Sequence, residues 1–143
     1  MPGHHEDLQA TVGKVAVQFF WKPYVKDQLA YAKALIESKD TYVDVLVLGN
    51  GEWDCLHNSD SSEAYKSTLQ ELTLRLEELK RRRGTGVLWV TPPSVNDAKL
   101  TTDEKKEKMT EERVREYRSY QEVITSSADF DLFVDFGKMT ETR

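Results

Sequence analysis

The chain has little cysteine, no long apolar run and no recognisable targeting segment. Its single cysteine, Cys55, excludes an internal disulfide. No apolar run approaches the roughly 18 residues that a membrane-spanning helix needs, and the first residues do not have the pattern of a signal peptide. An Asn-x-Ser/Thr acceptor for glycosylation is also missing. The residues themselves therefore leave the localisation unknown and predict no membrane segment.

Basic residues are not in excess either. The 143 residues include 25 acidic and 20 basic side chains, and this net charge of -5 argues against nucleic acid as a partner. No metal-ligand motif and no phosphate-cradling loop is evident, so we expect no metal site and no cofactor. A hydrophobic content of 38% is enough for one core. The composition predicts a single acidic globular domain, with a disordered tail over residues 1–12.

Apolar runs alternate with helical patterns along the chain. The runs, each predicted to be a strand, cover residues 15–20, 43–48, 87–90 and 130–134. Apolar residues at helical spacing predict helices over residues 25–36, 60–83 and 110–124. The charged segment 96–109 is predicted to be an exposed connection. This alternation is typical of an α/β fold, a three-layer α/β/α sandwich with a mostly parallel sheet of about four strands.

The loop after the second run is the first candidate for a site, because ligands bind past the carboxyl ends of parallel strands. Gly49 and Gly51 would let backbone N–H groups approach a ligand closely, and Asn50 adds a neutral donor. Such donors can form an oxyanion hole for a tetrahedral intermediate. The alternative is purely structural, with the glycines in a tight turn and Trp53 covering the core.

Loops after three of the predicted strands are expected to meet at this edge of the sheet. The residues predicted to line a pocket there are Trp21, Asn50, Gly51, Glu52, Trp53, Asp54 and Pro93. Glu52 and Asp54 offer carboxylates for acid–base chemistry, although two carboxylates in one loop are not a metal motif.

A catalytic serine–histidine pair is hard to assemble from these loops. Ser94 lies in the loop after the third run, and His57 is the only histidine placed for acid–base work. A Ser94–His57 pair is therefore one hypothesis, and a surface histidine with no catalytic role is the alternative. Ser59, Ser61 and Ser62 lie near His57 in sequence but have the pattern of helix-cap residues.

The segment 45–53, VLVLGNGEW, and the segment 87–93, VLWVTPP, together resemble the SGNH/GDSL hydrolase superfamily. The later segment 108–111, KMTE, and Tyr117 add to the resemblance. The closest branch is the PC-esterase-like domain of the sialic acid and polysaccharide O-acetyltransferases. The resemblance covers most of the chain, from about residue 15 to about residue 135.

This resemblance implies a flavodoxin-like sheet, a serine nucleophile in a Gly-Asp-Ser turn after the first strand, and an Asp-x-x-His segment near the C-terminus. The serine would attack an acetyl ester, with the histidine as base and the aspartate orienting it. Only the loop after the family's third strand carries over to this chain, where it follows the second apolar run, 43–48. Gly51 and Trp53 match its motif, and Asn50 and Glu52 accompany them. The family also suggests the secretory pathway.

Neither Gly-Asp-Ser nor a C-terminal Asp-x-x-His occurs in this sequence. If the four runs correspond to the second to fifth strands of the family, the first strand is missing. In the order 2-1-3-4-5 that strand lies inside the sheet. We therefore expect a single SGNH-like domain, truncated at both ends, whose unpaired strands favour self-association.

Two functions remain open. The first is an ester hydrolase or O-acetyltransferase domain that acts on acetyl esters of a carbohydrate and is catalytically incomplete in this chain. The second is a non-catalytic binding or interaction module that retains the fold. In it, Trp21, Tyr24 and Trp53 would stack against a sugar or a peptide. Whether the chain is an enzyme is left open by the sequence, and the expected ligand is a carbohydrate or an acyl ester.

Overall fold

The computed structural model describes residues 6–58 and 62–141. Its strands are β1 (Leu8–Val12), β2 (Val15–Phe19), β3 (Val45–Leu48), β4 (Gly86–Val90) and β5 (Leu132–Val134). Its helices are α1 (Val25–Glu37), α2 (Glu52–His57), α3 (Ser62–Arg83), α4 (Asp103–Lys108), α5 (Glu111–Thr125) and α6 (Phe136–Thr140). Within the described ranges, no helix is both long and apolar enough to cross a membrane. Residues 60 and 61 of the predicted second helix, together with Ser59, lie outside the described residues.

Strands β3, β4 and β5 form a parallel sheet in that order, with Leu46 opposite Val87 and Trp89 opposite both Leu48 and Phe133. The connections between them run through α3 and through α5, as parallel neighbours require. This mixed architecture confirms the predicted α/β class. It is compatible with a three-layer α/β/α sandwich, of which α1, α3 and α5 form one outer layer.

The predicted first strand forms, but it does not join the parallel sheet. Instead β2 pairs with β1 in an antiparallel hairpin, with Leu8 opposite Phe19. The sheet therefore has three strands rather than about four, and Leu8–Val12 is a strand rather than part of a disordered tail. The physical reason is the two-residue turn at Gly13, whose φ of 61° suits the tight turns of hairpins. Residues 1–5 of the predicted tail lie outside the described residues.

One face of the sheet packs against helices. Val87 and Trp89 of β4 are fully buried in a cluster with residues of α1, α3 and α5. The long helix α3 contributes the predicted stripe of Tyr65, Leu69, Leu72, Leu76 and Leu79, all buried. At its end the N–H of Gly84, whose φ is 68°, donates to the carbonyl of Lys80. These contacts hold α1, α3 and α5 against one face of the sheet.

The opposite face of the sheet is not covered in the same way. Successive side chains of a strand point to opposite faces, so this second face consists of Val45, Val47, Leu88, Val90, Leu132 and Val134. We call it the open sheet face. Val45, Val47 and Leu132 are 54%, 60% and 50% exposed. The sheet thus presents aliphatic side chains to solvent on one side.

The charged segment 96–109 is largely exposed, as predicted, but it is not structureless. Thr102 accepts a hydrogen bond from the N–H of Lys105 and begins α4. The Cys55 thiol in turn donates to the carbonyl of Lys108 at 3.0 Å. The segment is therefore tied back to α2.

Asp131 joins the sheet to α3, and its contribution to stability should depend on pH. Its carboxylate accepts the Val87 N–H at 2.7 Å and lies 3.2 Å from Lys80 Nζ. The backbone hydrogen bond, helped by Lys80, lowers the pKa of Asp131. A carboxyl group whose pKa is lowered in the folded state stabilises the fold above its ordinary pKa of about 4. This stabilisation is lost as acid protonates the folded-state carboxylate. We expect Asp131→Ala to lower the urea midpoint at pH 7, and we expect this effect to shrink progressively as the pH falls below about 4.

The control for this prediction is Asp129→Ala, because Asp129 also contacts Lys80 but is 84% exposed. Its effect should be smaller at every pH. Equal effects of the two substitutions at pH 7 would show that the bond to Val87 contributes nothing.

Candidate functional site

The loop after β3 is short, because α2 begins at Glu52. The predicted pocket loop of residues 50–54 is thus half turn and half helix. Gly51 precedes α2 with a φ of 120°, a conformation that L side chains rarely adopt. This geometry places Trp53 and Asp54 on the first turn of α2, beside the carboxyl end of the sheet.

Asn50 is buried, and its side chain and its carbonyl both take part in hydrogen bonds of the fold. Its Nδ2 donates to Gln28 Oε1 at 2.8 Å, and its Oδ1 accepts from the Tyr65 hydroxyl at 2.6 Å. Its carbonyl accepts from Gln121 Nε2 at 2.6 Å. The side chain that was predicted to donate to an oxyanion therefore holds α1 and α3 to the loop. These contacts favour the structural interpretation of Asn50.

Both glycines of the loop have packing reasons. A Cβ on Gly49 would lie 2.2 Å from the carbonyl oxygen of Val90, so only glycine lets β4 approach here. A Cβ on Gly51 would lie 2.8 Å from Gln121 Nε2. The close approach at these glycines is thus to the protein's own backbone and side chains.

The two carboxyl groups of α2 are held away from water. Asp54 is buried, and its Oδ2 accepts the N–H of Val25 at the start of α1 at 3.0 Å. Burial raises the pKa of Asp54 although this hydrogen bond opposes the change. Burial also raises the pKa of Glu52. Asp54 therefore anchors α1, while Glu52 is the half-buried carboxyl of the pair and favours the protonated state more than an exposed glutamate does.

Aromatic side chains from two segments form a cluster on the surface beside α2. The rings of Trp21 and Trp53 meet edge to face, with centroids 5.8 Å apart and planes at 87°. The His57 ring lies 5.4 Å from Trp53, and His57 Nδ1 is 2.7 Å from the Tyr24 hydroxyl. We call Trp21, Tyr24, Trp53 and His57 the aromatic cluster. The structure brings together the aromatic residues that the sequence proposed for stacking.

Ser94 and Pro93 belong to a different neighbourhood. The Ser94 hydroxyl donates to Thr140 Oγ1 of α6 at 3.1 Å, and the Pro93 carbonyl accepts from Arg118 of α5 at 3.0 Å. His57, in contrast, is bonded to Tyr24. The Ser94–His57 pair thus stays a prediction that these hydrogen bonds do not support, and Pro93 lies with α5 rather than with the aromatic cluster.

Sequence reasoning missed the polar network beneath the loop. Gln121 of α5 links Asn50, the Tyr65 hydroxyl and Trp89, whose Nε1 donates to Gln121 Oε1 at 3.0 Å. Gln28 adds a bond to the Gly49 carbonyl at 2.7 Å. One signal was visible beforehand, since Gln121 occupies an apolar-stripe position of its helix. A polar residue there indicates a buried partner.

A concavity lies where β4 and β5 end, away from the aromatic cluster. It has a volume of about 300 Å³, and its walls include Thr91, Asp135, Arg115, Arg118 and Lys138. Arg118 is already bonded to Glu111 and Pro93. Among the described residues, no group of three or more histidine, cysteine or acidic side chains could hold a metal ion.

Comparisons with known proteins give one similar curated protein. The chain is 30% identical over 128 residues to Protein ALTERED XYLOGLUCAN 9 of Arabidopsis thaliana. This similarity covers 79% of the chain and 34% of that protein, so the chain spans about a third of its relative's length. No family model matches the chain, and no solved structure matches it. The chain thus has a homologue whose name refers to a plant carbohydrate.

Proposed function

We propose that this chain is the carbohydrate-facing part of an SGNH-like ester hydrolase or O-acetyltransferase domain that acts on acetyl esters. The observation that carries the proposal is the aromatic cluster at the carboxyl end of β3. It lies where α/β proteins bind ligands, and it belongs to a chain whose homologue is named for xyloglucan. The resemblance to the polysaccharide O-acetyltransferases suggests the acetyl ester.

The geometry of the cluster suits a sugar ring. Trp21 and Trp53 stand at 87° to one another and form a corner with two aromatic walls. Aromatic faces offer a rigid apolar surface, while the Tyr24 hydroxyl and the His57 ring add polar groups at its rim. Glu52 lies at the start of the same helix and can accept hydrogen bonds from hydroxyl groups.

In this proposal the chain itself supplies the substrate wall rather than the nucleophile. It contains no Gly-Asp-Ser turn, and the Asn50 amide proposed for an oxyanion hole already donates a hydrogen bond to Gln28. We therefore expect no turnover of a chromogenic acetyl ester by this chain, by Ser94→Ala or by His57→Ala. Turnover that is lost in both variants would instead establish a rebuilt catalytic pair and overturn this part of the proposal.

A non-catalytic binding module is the second candidate. The hydrogen bonds of Asn50 with Gln28 and Tyr65 favour it, because the side chain that would donate to a developing oxyanion is held by two helices of the fold. Both candidates predict binding of a carbohydrate at the aromatic cluster. They differ in the flanking coding sequence, where a Gly-Asp-Ser before and an Asp-x-x-His after this region would favour the enzyme.

Binding of acetylated xyloglucan oligosaccharides tests the shared part of the proposal. We expect titration calorimetry to show binding by the unaltered chain and a Kd about fivefold weaker for Trp53→Ala, since one aromatic contact contributes about 1 kcal/mol. Tyr42→Ala is the control, because Tyr42 is a 59% exposed aromatic residue outside the cluster. No binding by the unaltered chain, or equal losses in both variants, would contradict a carbohydrate site at the cluster.

A further inference from the structure

The described structure leaves a second apolar β surface uncovered, on the β1–β2 hairpin. Antiparallel partners point to the same side of a hairpin, so one side consists of Leu8, Ala10, Val12, Val15, Val17 and Phe19. We call this side the hairpin face. Both strands are exposed along their whole length. The hairpin face therefore meets solvent as fully as the open sheet face does.

The hairpin is amphipathic, which indicates that its apolar side packs against another apolar surface. Its other side carries Gln9, Thr11 and Gln18, while the hairpin face holds no polar residue. An isolated two-stranded hairpin is marginally stable in water and needs a further apolar contact. Contiguous exposed apolar patches of this kind mark interaction surfaces.

The hairpin does not cover the open sheet face of its own molecule. The segment that follows it is held on the helical side of the sheet, where Trp21 packs against Trp53 and the Val25 N–H is bonded to Asp54. Helix α1 then continues into the cluster around Val87 and Trp89, on the face opposite the open one. In the described structure the open sheet face is therefore not covered by the hairpin of the same molecule.

We propose that the hairpin face of one copy packs on the open sheet face of a second copy, and reciprocally, in a two-fold symmetric dimer. The dimensions agree, because β1, β2 and β4 each have five residues and so span about 17 Å. Two sheets can pack face to face with interdigitating aliphatic side chains. The two-fold axis forms the contact twice, and the total buried area then approaches the roughly 1,200 Å² that stable interfaces need.

Charges around the two faces favour one orientation. The hairpin face carries no charge, and Lys14 projects from the turn at its tip. Asp44 lies just before β3, at the amino end of the open sheet face, whereas Asp131 before β5 is already paired with Lys80. In the dimer, the tip of each hairpin points toward this acidic end of the partner's sheet.

The oligomeric state of charge-substituted variants tests the dimer. By light scattering and sedimentation from about 1 to about 100 µM, we expect the mass to rise from 16.5 kDa toward twice that value. Val17→Lys on the hairpin face and Val47→Lys on the open sheet face should each weaken the dimer about 100-fold or more, because each buries an unpaired charge. Circular dichroism should show both variants folded, since both residues are exposed in the single molecule.

Gln18→Lys and Val123→Lys are the matched controls, one on the polar side of the hairpin and one on the exposed side of α5. Both should dimerise like the unaltered chain. A monomer at every concentration overturns the proposal. A dimer that Val47→Lys abolishes and Val17→Lys leaves intact also overturns it, because it would mean pairing through the β3 edge alone.

A pair of introduced cysteines shows whether the hairpin packs on the sheet of a second copy or on the sheet of its own molecule. In the double variant Val17→Cys/Val47→Cys, mild oxidation should give a covalent dimer, while the native Cys55 stays buried. A disulfide within one chain would overturn the proposal, since it would place the hairpin on its own sheet. Oxidation that leaves both introduced thiols unlinked in a dimeric sample would overturn it as well.

Discussion

Gly49→Ala is expected to destabilise the chain by about 3 kcal/mol or more. The added Cβ would lie 2.2 Å from the carbonyl oxygen of Val90, and a backbone atom of a central strand cannot rotate away as a flexible side chain can. Relief requires β3 and β4 to separate where their carboxyl ends meet. Urea unfolding followed by circular dichroism measures the effect.

The control is Gly86→Ala in the same sheet. There the nearest atom to an added Cβ is the Asp44 carbonyl oxygen at 3.5 Å, which is ordinary van der Waals contact. We expect a change within about 1 kcal/mol. If Gly49→Ala kept its stability and lost only oligosaccharide binding, Gly49 would serve a ligand rather than strand packing, and the oxyanion-hole interpretation would regain its support.

Gln121→Met should cause the second large loss of stability, about 2–6 kcal/mol. The substitution keeps the length of the side chain but removes both polar ends. The Asn50 carbonyl and the Trp89 indole N–H then lose a buried partner, at about 1–3 kcal/mol each. The Tyr65 hydroxyl keeps a hydrogen-bond partner, because it still donates to Asn50. Chemical unfolding measures the free energy.

Glu122→Met, on the exposed side of the same helix, is the matched control. It introduces the same side chain without touching the network, and we expect a change within about 0.5 kcal/mol. Because Trp89 is fully buried beside Gln121, its fluorescence should change in Gln121→Met and stay constant in Glu122→Met. Equal stability of the two variants would mean that the network does not stabilise the fold.

Much of the fold could be predicted because its signals are local. The apolar stripe of α3 repeats at helical spacing, and its predicted residues are all buried. The apolar runs of β3 and β4 became neighbouring parallel strands, with Leu46 opposite Val87. The hairpin was missed because its first strand, Leu8–Val12, was taken as part of a terminal tail. The alternation of apolar and polar residues in it, followed by Gly13, was the available signal.

The candidate site could be predicted only in part. Its location past β3 and the meeting of Trp21 with Trp53 agree with the predicted gathering of loops. The role of Asn50 could not be read from its type, because an amide suits a ligand and a buried network equally well. Its partners Gln28 and Tyr65 lie 22 and 15 residues away, so only folding brings them together.

The sequence by itself determined the α/β class and the main helices, and it singled out the edge of the sheet that carries the candidate site. These follow from apolar periodicity, which acts within a single element and needs no distant partner. Only the tertiary structure decided that β2 leaves the sheet, that Ser94 bonds Thr140, and that Asn50 accepts from Gln121, 71 residues away. Hydrogen bonds and close packing depend on positions to within a few tenths of an ångström, and such positions exist only in the folded chain.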